Sequence, residues 1–434
     1  MTKAAEYPVP TVVDRLPVST TLGAIGLAIP LVGGRWGSYI GLPPVFLADA
    51  LLILAALSTL MLPKSYPVPA RFPPVYWLCW TATALFILAS MLQGYGDPVT
   101  RFRDLLPWFY LLLLPAVVQW AKVAGSRRIL NYLTVTLLAH AAWAIPAMLG
   151  VLPEIDLPAN IFGQPLFADR PDVDVPLLAG AVVLVLHRWG TRPATLAFLV
   201  FAAGAAAAQT SRAALVGSVL AVVVYARVRG YLRGAQGVAR MFAVSVIVAL
   251  VVLVLLPAIS SQAPDRSDAG ALARAGLYGT GEASASGEGT AGARFQAWET
   301  LFDYYADRGH PALGAGAGAE IVRDSGAVRY LSGDVEVRAP HNWWVHAIVR
   351  TGYVGLLLWT ALLVAGARPR SGRSNCTSRD FGRAMGALLM TSVLLAATFG
   401  VVVEAPFGSQ VLLLGVALFG LSAQHEGQPQ EAAR

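Results

Sequence analysis

TLAFLVFAAGAAAAQTSRAALVGSVLAVVVY, residues 195–225, is a nearly continuous apolar run interrupted only by Gln209, Thr210, Ser211 and Arg212. Crossing a bilayer once, it would place its two flanks on opposite sides. Both flanks are basic, with Arg188 and Arg192 before the run and Arg227, Arg229, Arg233 and Arg240 after it. Arginine and lysine collect on the cytoplasmic side of membrane spans. The run therefore reads as two short spans that meet at the outer boundary around Arg212. The two spans, 193–210 and 212–227, are about 27 and 24 Å long at about 1.5 Å per residue, close to the thickness of the hydrocarbon core.

The same test extends along the whole chain of 434 residues, of which 56% are hydrophobic and 13% charged. Candidate spans fall at 20–34, 39–62, 75–92, 104–121, 129–151, 175–189, 193–210, 212–227, 239–257, 342–365, 383–402 and 406–423. With the N-terminus cytoplasmic, alternate connections carry the positive charge, among them Lys64 with Arg71, Lys122 with Arg127 and Arg128, and the arginines from 368 to 383. The short connections on the other side carry little, Arg35, Arg101 with Arg103, and Arg170, while the one large loop there, 258–340, holds 7 basic residues against 11 acidic ones. The fold expected is an all-α polytopic membrane protein of about 12 transmembrane helices. Helices 1–9 occupy residues 1–257, one large outer loop domain 258–340, helices 10–12 residues 341–423, and a cytoplasmic tail 424–434.

Composition excludes other classes. Cys79 and Cys376 lie in unlike surroundings, which argues against a disulfide framework. The net charge of +7 is spread over short connections and not gathered into one patch, which argues against nucleic acid as a partner. The polar, proline-containing start from Met1 to Ser19 lacks the form of a cleaved signal peptide.

Chemistry is expected where the outer loop meets the bundle. Within the loop, 279–289 reads as a glycine- and serine-rich linker. From Arg294 to Asp307, Phe295, Trp298, Leu301, Phe302 and Tyr305 recur at helical spacing, a stripe suited to the membrane surface or to the bundle. The run Gly314-Ala315-Gly316-Ala317-Gly318 follows His310-Pro311 and no strand, so it reads as a turn allowing close backbone approach, not as a nucleotide cradle. In Pro340-His341-Asn342-Trp343-Trp344 the proline opens a span and the tryptophans suit an interfacial belt, which sets His341 at a helix start. There the helix dipole disfavours imidazolium, and a neutral ring can act as a general base or can simply hydrogen-bond. Arg212 and Arg294 either hold a phosphate or are boundary and surface arginines. No role is assigned to His140, His187, His310, His346 or His425. Asp172-Val173-Asp174 has the aspartate spacing of a cation site but also that of an ordinary solvated turn. Glu404 and Asp49, in or beside apolar spans, are either functional carboxylates or groups satisfied by a neighbouring span.

Thr210-Ser211-Arg212-Ala213-Ala214, Arg294-Phe295-Gln296-Ala297-Trp298, His310-Pro311 with Gly314, Gly316 and Gly318, and His341-Asn342 together resemble the O-antigen ligase family. The resemblance covers residues 195 to 360, extends to O-antigen polymerases and protein O-oligosaccharyltransferases, and departs from the family's usual glycine at Ala213. It implies an inner-membrane, metal-independent, inverting glycosyltransferase with a C-type-like fold, no cofactor, and an active site at the periplasmic face. The implied donor is an undecaprenyl-pyrophosphate-linked O-antigen polysaccharide, and the implied acceptor is the lipid A-core oligosaccharide. His341 would be the general base, and Arg212 and Arg294 would hold the diphosphate. An O-antigen polymerase using the same donor, or a polytopic transporter or flippase, are the alternatives.

Overall fold

The computed structural model describes residues 18–43, 45–60, 72–156, 164–209, 218–219, 222–227, 291–308, 311–331, 338–368, 377–400 and 402–420. They form an all-α membrane bundle with one two-stranded hairpin. Helix α1 (Val18–Ser38) is followed by the short antiparallel strands β1 (Gly41–Leu42) and β2 (Val45–Phe46), and then by α2 (Leu47–Leu60). Next come α3 (Pro74–Gln93), α4 (Pro98–Leu112), α5 (Leu114–Met148), α6 (Pro171–Trp189) and α7 (Pro193–Ala208). Proline starts α3, α4, α6 and α7, where its missing N–H costs no helical bond. Beyond residue 290 lie α8 (Ala291–Arg308), the short α9 (Ile321–Asp324) and α10 (Val328–Leu331), α11 (Trp343–Ala367) and α12 (Thr377–Phe399). A 3-10 turn (Val402–Glu404) and α13 (Pro406–Gly420) close the described chain.

Six described helices are long and apolar enough to cross a membrane: Val18–Ser38, Pro74–Gln93, Pro98–Gly125, Arg127–Met148, Trp343–Ala367 and Phe381–Thr398. Leu47–Ser58, Pro193–Ala208 and Pro406–Gly420 are apolar but shorter. The span expected at 39–62 starts later than the sequence suggested, because its first residues form the hairpin. The segment expected as a span at 175–189 is helical, within α6, but α6 is not among the described helices long and apolar enough to cross. Span 212–227 lies partly, and 239–257 wholly, outside the described residues. The apolar face of α3, with Leu78, Leu85, Leu88 and Leu92 exposed, fits a lipid-facing helix.

A bilayer supplies no hydrophobic drive between helices, so close packing and polar contacts must hold them together. Helix α13 is buried along almost its whole length, among α1, α4, α5, α11 and α12. Asp49 of α2 supplies a polar tie. Its Oδ1 accepts from Tyr110 of α4 at 2.6 Å and from Gln410 of α13 at 2.6 Å, and its Oδ2 from the backbone N–H of Phe46 at 3.0 Å. Of the two readings open for Asp49, the satisfied structural carboxylate is therefore the one observed.

The helix expected from Arg294 to Asp307 is α8. Its inner face is Ala297, Leu301 and Tyr305, which pack with α9 and α10 against Val345 and Val349 of α11. Phe295 and Phe302, counted in the apolar stripe, are exposed instead, because the buried face is centred on the small Ala297. The interfacial belt expected from Trp343-Trp344 is also corrected. Trp343 is fully buried against Trp108 and Trp359, and Trp344 is half-buried, its indole N–H donating to Thr398 at 3.3 Å.

Candidate active site

The hairpin, the α3–α4 turn, the start of α6, the start of α11 and the α12–α13 turn all gather at one end of the bundle. The first element of the site there is a break in α11. Gly352 has φ 64 and leaves the helix, freeing backbone groups inside a span where none can stay unpaired. The glycine-rich turn takes them up. Ala315 N–H donates to the Val349 carbonyl at 2.8 Å and Gly316 N–H to that of Arg350 at 2.9 Å, while Tyr353 and Val354 N–H donate to the Pro311 and Ala312 carbonyls at 3.1 and 3.0 Å. A side chain at Gly314 (φ 72) would start 2.5 Å from the Arg350 carbonyl carbon. Close backbone approach is thus the role of Gly314-Ala315-Gly316-Ala317-Gly318.

His341 is the second element. Asn342 caps α11, its side chain accepting from Trp344 N–H at 2.9 Å and Val345 N–H at 3.2 Å. His341, just before the cap, is held at φ 54, which costs a residue with a Cβ about 1–2 kcal/mol. The preceding Pro340 is pinned by Trp298 of α8, whose indole N–H donates to its carbonyl at 2.8 Å. Arg294 lies one helical turn before Trp298, so this bond brings Arg294 and His341 together. The imidazole is held below the ordinary histidine value, first by burial and then by the charges of Arg294 and Arg170, against which Asp172 acts. The sequence expected the helix dipole to keep this ring neutral; burial and two arginines also work in that direction.

Arg212 lies outside the described residues. Gln209, three residues earlier, is buried, and its side chain donates to the Met148 carbonyl at 3.0 Å. The two aspartates of the Asp172-Val173-Asp174 pattern diverge. Asp174 is fully buried and accepts from the Arg170 backbone N–H at 2.5 Å, whereas Asp172 is partly exposed, 4.0 Å from the Arg170 guanidinium. Helical spacing of two residues turns them apart, and among the described residues no three His, Cys, Asp or Glu side chains are grouped to hold a metal ion.

Four charged or polar side chains that the sequence left without a task form a buried chain beside this site. Arg350 donates from Nη1 to Asp104 of α4 and, at 2.8 Å, to the Ala319 carbonyl. Its Nε donates to His346 Nε2 at 3.1 Å. Asp104 also accepts from Gly318 N–H at 2.8 Å and has Arg338 at 3.7 Å. His346 Nδ1 lies 3.1 Å from Glu404 Oε1. Because a guanidinium only donates, His346 Nε2 must accept, so the ring proton sits on Nδ1, toward Glu404. The two atoms are close but make no hydrogen bond, and Glu404 is the carboxyl within 4.0 Å of that nitrogen among the described residues. Burial pushes the Glu404 carboxyl up to about 8 against the pull of Arg350, with Asp104 adding to the rise and Arg103 and Arg170 opposing it. The sequence signal was His346 and Arg350 at i,i+4 inside an apolar span, where ionisable residues are rare and usually paired.

Residues 197–360 match the family model described as O-antigen ligase. This O-antigen ligase domain runs from α7 through α8 and the glycine turn into α11, and so spans Arg294, His341 and Arg350. It is shared by O-antigen ligases and polymerases, a family of glycosyltransferase-like membrane enzymes. No curated protein matches the chain.

Proposed function

We propose that the protein is an O-antigen ligase. It moves O-antigen polysaccharide from undecaprenyl pyrophosphate to the lipid A-core oligosaccharide at the periplasmic face of the inner membrane. The observation that carries this reading is the pairing of His341 with Arg294 through the Trp298–Pro340 bond, inside the O-antigen ligase domain.

An acceptor hydroxyl attacks the anomeric carbon of the donor sugar, and the bond from that carbon to the diphosphate oxygen breaks. The departing electron pair stays on the diphosphate, and the hydroxyl proton passes to the neutral imidazole of His341. Attack opposite the leaving group inverts the anomeric centre. Arg294, with Arg212, neutralises charge as it grows on the diphosphate, so the step needs one base, a cationic clamp and no covalent nucleophile. Guanidinium groups bind paired phosphate oxygens through two parallel hydrogen bonds, which lets arginine take the place of a divalent cation. Transfer should accordingly survive chelation.

The test is purified protein in vesicles with lipid-linked O-antigen and lipid A-core. Ligated lipopolysaccharide is expected. Extension of one lipid-linked glycan by another would make the protein a polymerase, and two chemically unchanged lipids would make it a transporter.

A further inference from the structure

The mechanism above leaves Glu404 unused. It stands at the end of a side-chain cluster in which Asp104 orients Arg350 and Arg350 fixes the His346 tautomer, with His346 Nδ1 3.1 Å from Glu404 Oε1 but not hydrogen-bonded to it. Its Oε1 is enclosed. The side chain as a whole remains 19% accessible, so that exposure belongs to atoms other than Oε1. No arginine or lysine nitrogen lies within 4.0 Å of it among the described residues, although Arg350, Arg103 and Arg170 act on it electrostatically. Arg170 acts on His341 as well, so the carboxyl and the imidazole share one field.

The geometry points to Glu404 as a donor-binding residue that exchanges hydrogen bonds with a hydroxyl of the sugar directly attached to the lipid diphosphate. A carboxyl repels phosphate oxygens when ionised, and in either protonation form it accepts from a hydroxyl, which favours a sugar ring over the diphosphate itself. The surrounding arginines draw the diphosphate to this end of the bundle, and the first sugar is one bond away from it. A carboxyl poised near neutrality in such a setting is also a mark of functional sites. The inference rests on the glycosyl-transfer reading.

The experiment compares wild type, Glu404→Ala and Glu404→Gln in nanodiscs, with two probes: bare undecaprenyl diphosphate and the same lipid carrying glycan. Binding of the bare diphosphate should be the same in all three within about twofold. The KM for glycosylated donor should rise roughly tenfold or more in Glu404→Ala, the scale of one hydrogen-bond partner left unsatisfied, while Glu404→Gln keeps most of the affinity. Should the alanine variant not fold, Glu404→Asp withdraws the carboxyl by one methylene and should raise the same KM. An unchanged donor KM in the alanine or aspartate variant overturns the inference, as does parallel loss for both lipids, which marks a structural role. Absence of transfer by wild type instead overturns the transfer reading, so the two failures are distinguishable.

Discussion

In the proposed transfer, the chemistry at His341 depends on a proton. Only the neutral imidazole accepts from the acceptor hydroxyl, and burial with Arg294 and Arg170 lowers its affinity for protons. Lowering the pH through that depressed value therefore removes activity, and the acidic limb of kcat/KM should lie below the ordinary histidine value of 6.5. Arg294→Gln should move the residual limb upward, since one opposing charge is gone, without bringing it fully to 6.5 because burial remains the larger cause. A limb that stays in place would remove Arg294 from the neighbourhood of the base. His341→Ala should cost about a hundredfold to ten-thousandfold in rate with donor binding nearly intact. For Arg212, lysine anchors a helix end as well as arginine does but cannot grip two phosphate oxygens at once. Arg212→Lys should insert normally yet show weakened donor-dependent kinetics, and full activity at limiting donor would leave Arg294 as the main phosphate residue.

Among elements, the glycine turn and the broken helix α11 depend on each other. Gly314→Ala imposes both an unfavourable φ and a clash with the Arg350 carbonyl, so it should destabilise by more than the roughly 1–2 kcal/mol of the backbone conformation alone. Thermal unfolding in detergent measures this, and a midpoint equal to wild type would contradict the described packing. Much of this level was legible: the helix from Arg294, the span start at His341 and the close-approach turn all follow from spacing and from residue type. The break at Gly352 was not, because a glycine in an apolar span also suits close helix packing and only the partner turn shows which role applies. The chain from Asp104 to Glu404 was equally hidden, since Asp104 and Arg350 are 246 positions apart in sequence. Trp343 was misread as interfacial because an indole suits both a belt and a core.

For the whole molecule, the charge bias of the connections identified an all-α membrane bundle, while the described helices place the site's elements at one common end. From that bias we propose that this end faces the periplasm. A cysteine in place of Ser286 should react with an impermeant thiol reagent in intact spheroplasts, and one in place of Ser374 should not. Labelling of Ser374→Cys alone would invert the orientation and remove the site from the side where a lipid A-core acceptor is proposed. The account's central claim, direct displacement of a glycan from a lipid diphosphate, is tested most directly by product analysis from the purified protein in vesicles supplied with both lipids. The account predicts one bare undecaprenyl diphosphate released per glycan transferred, with the new linkage inverted at the anomeric carbon; retained configuration, or transfer without release of the diphosphate, would contradict it.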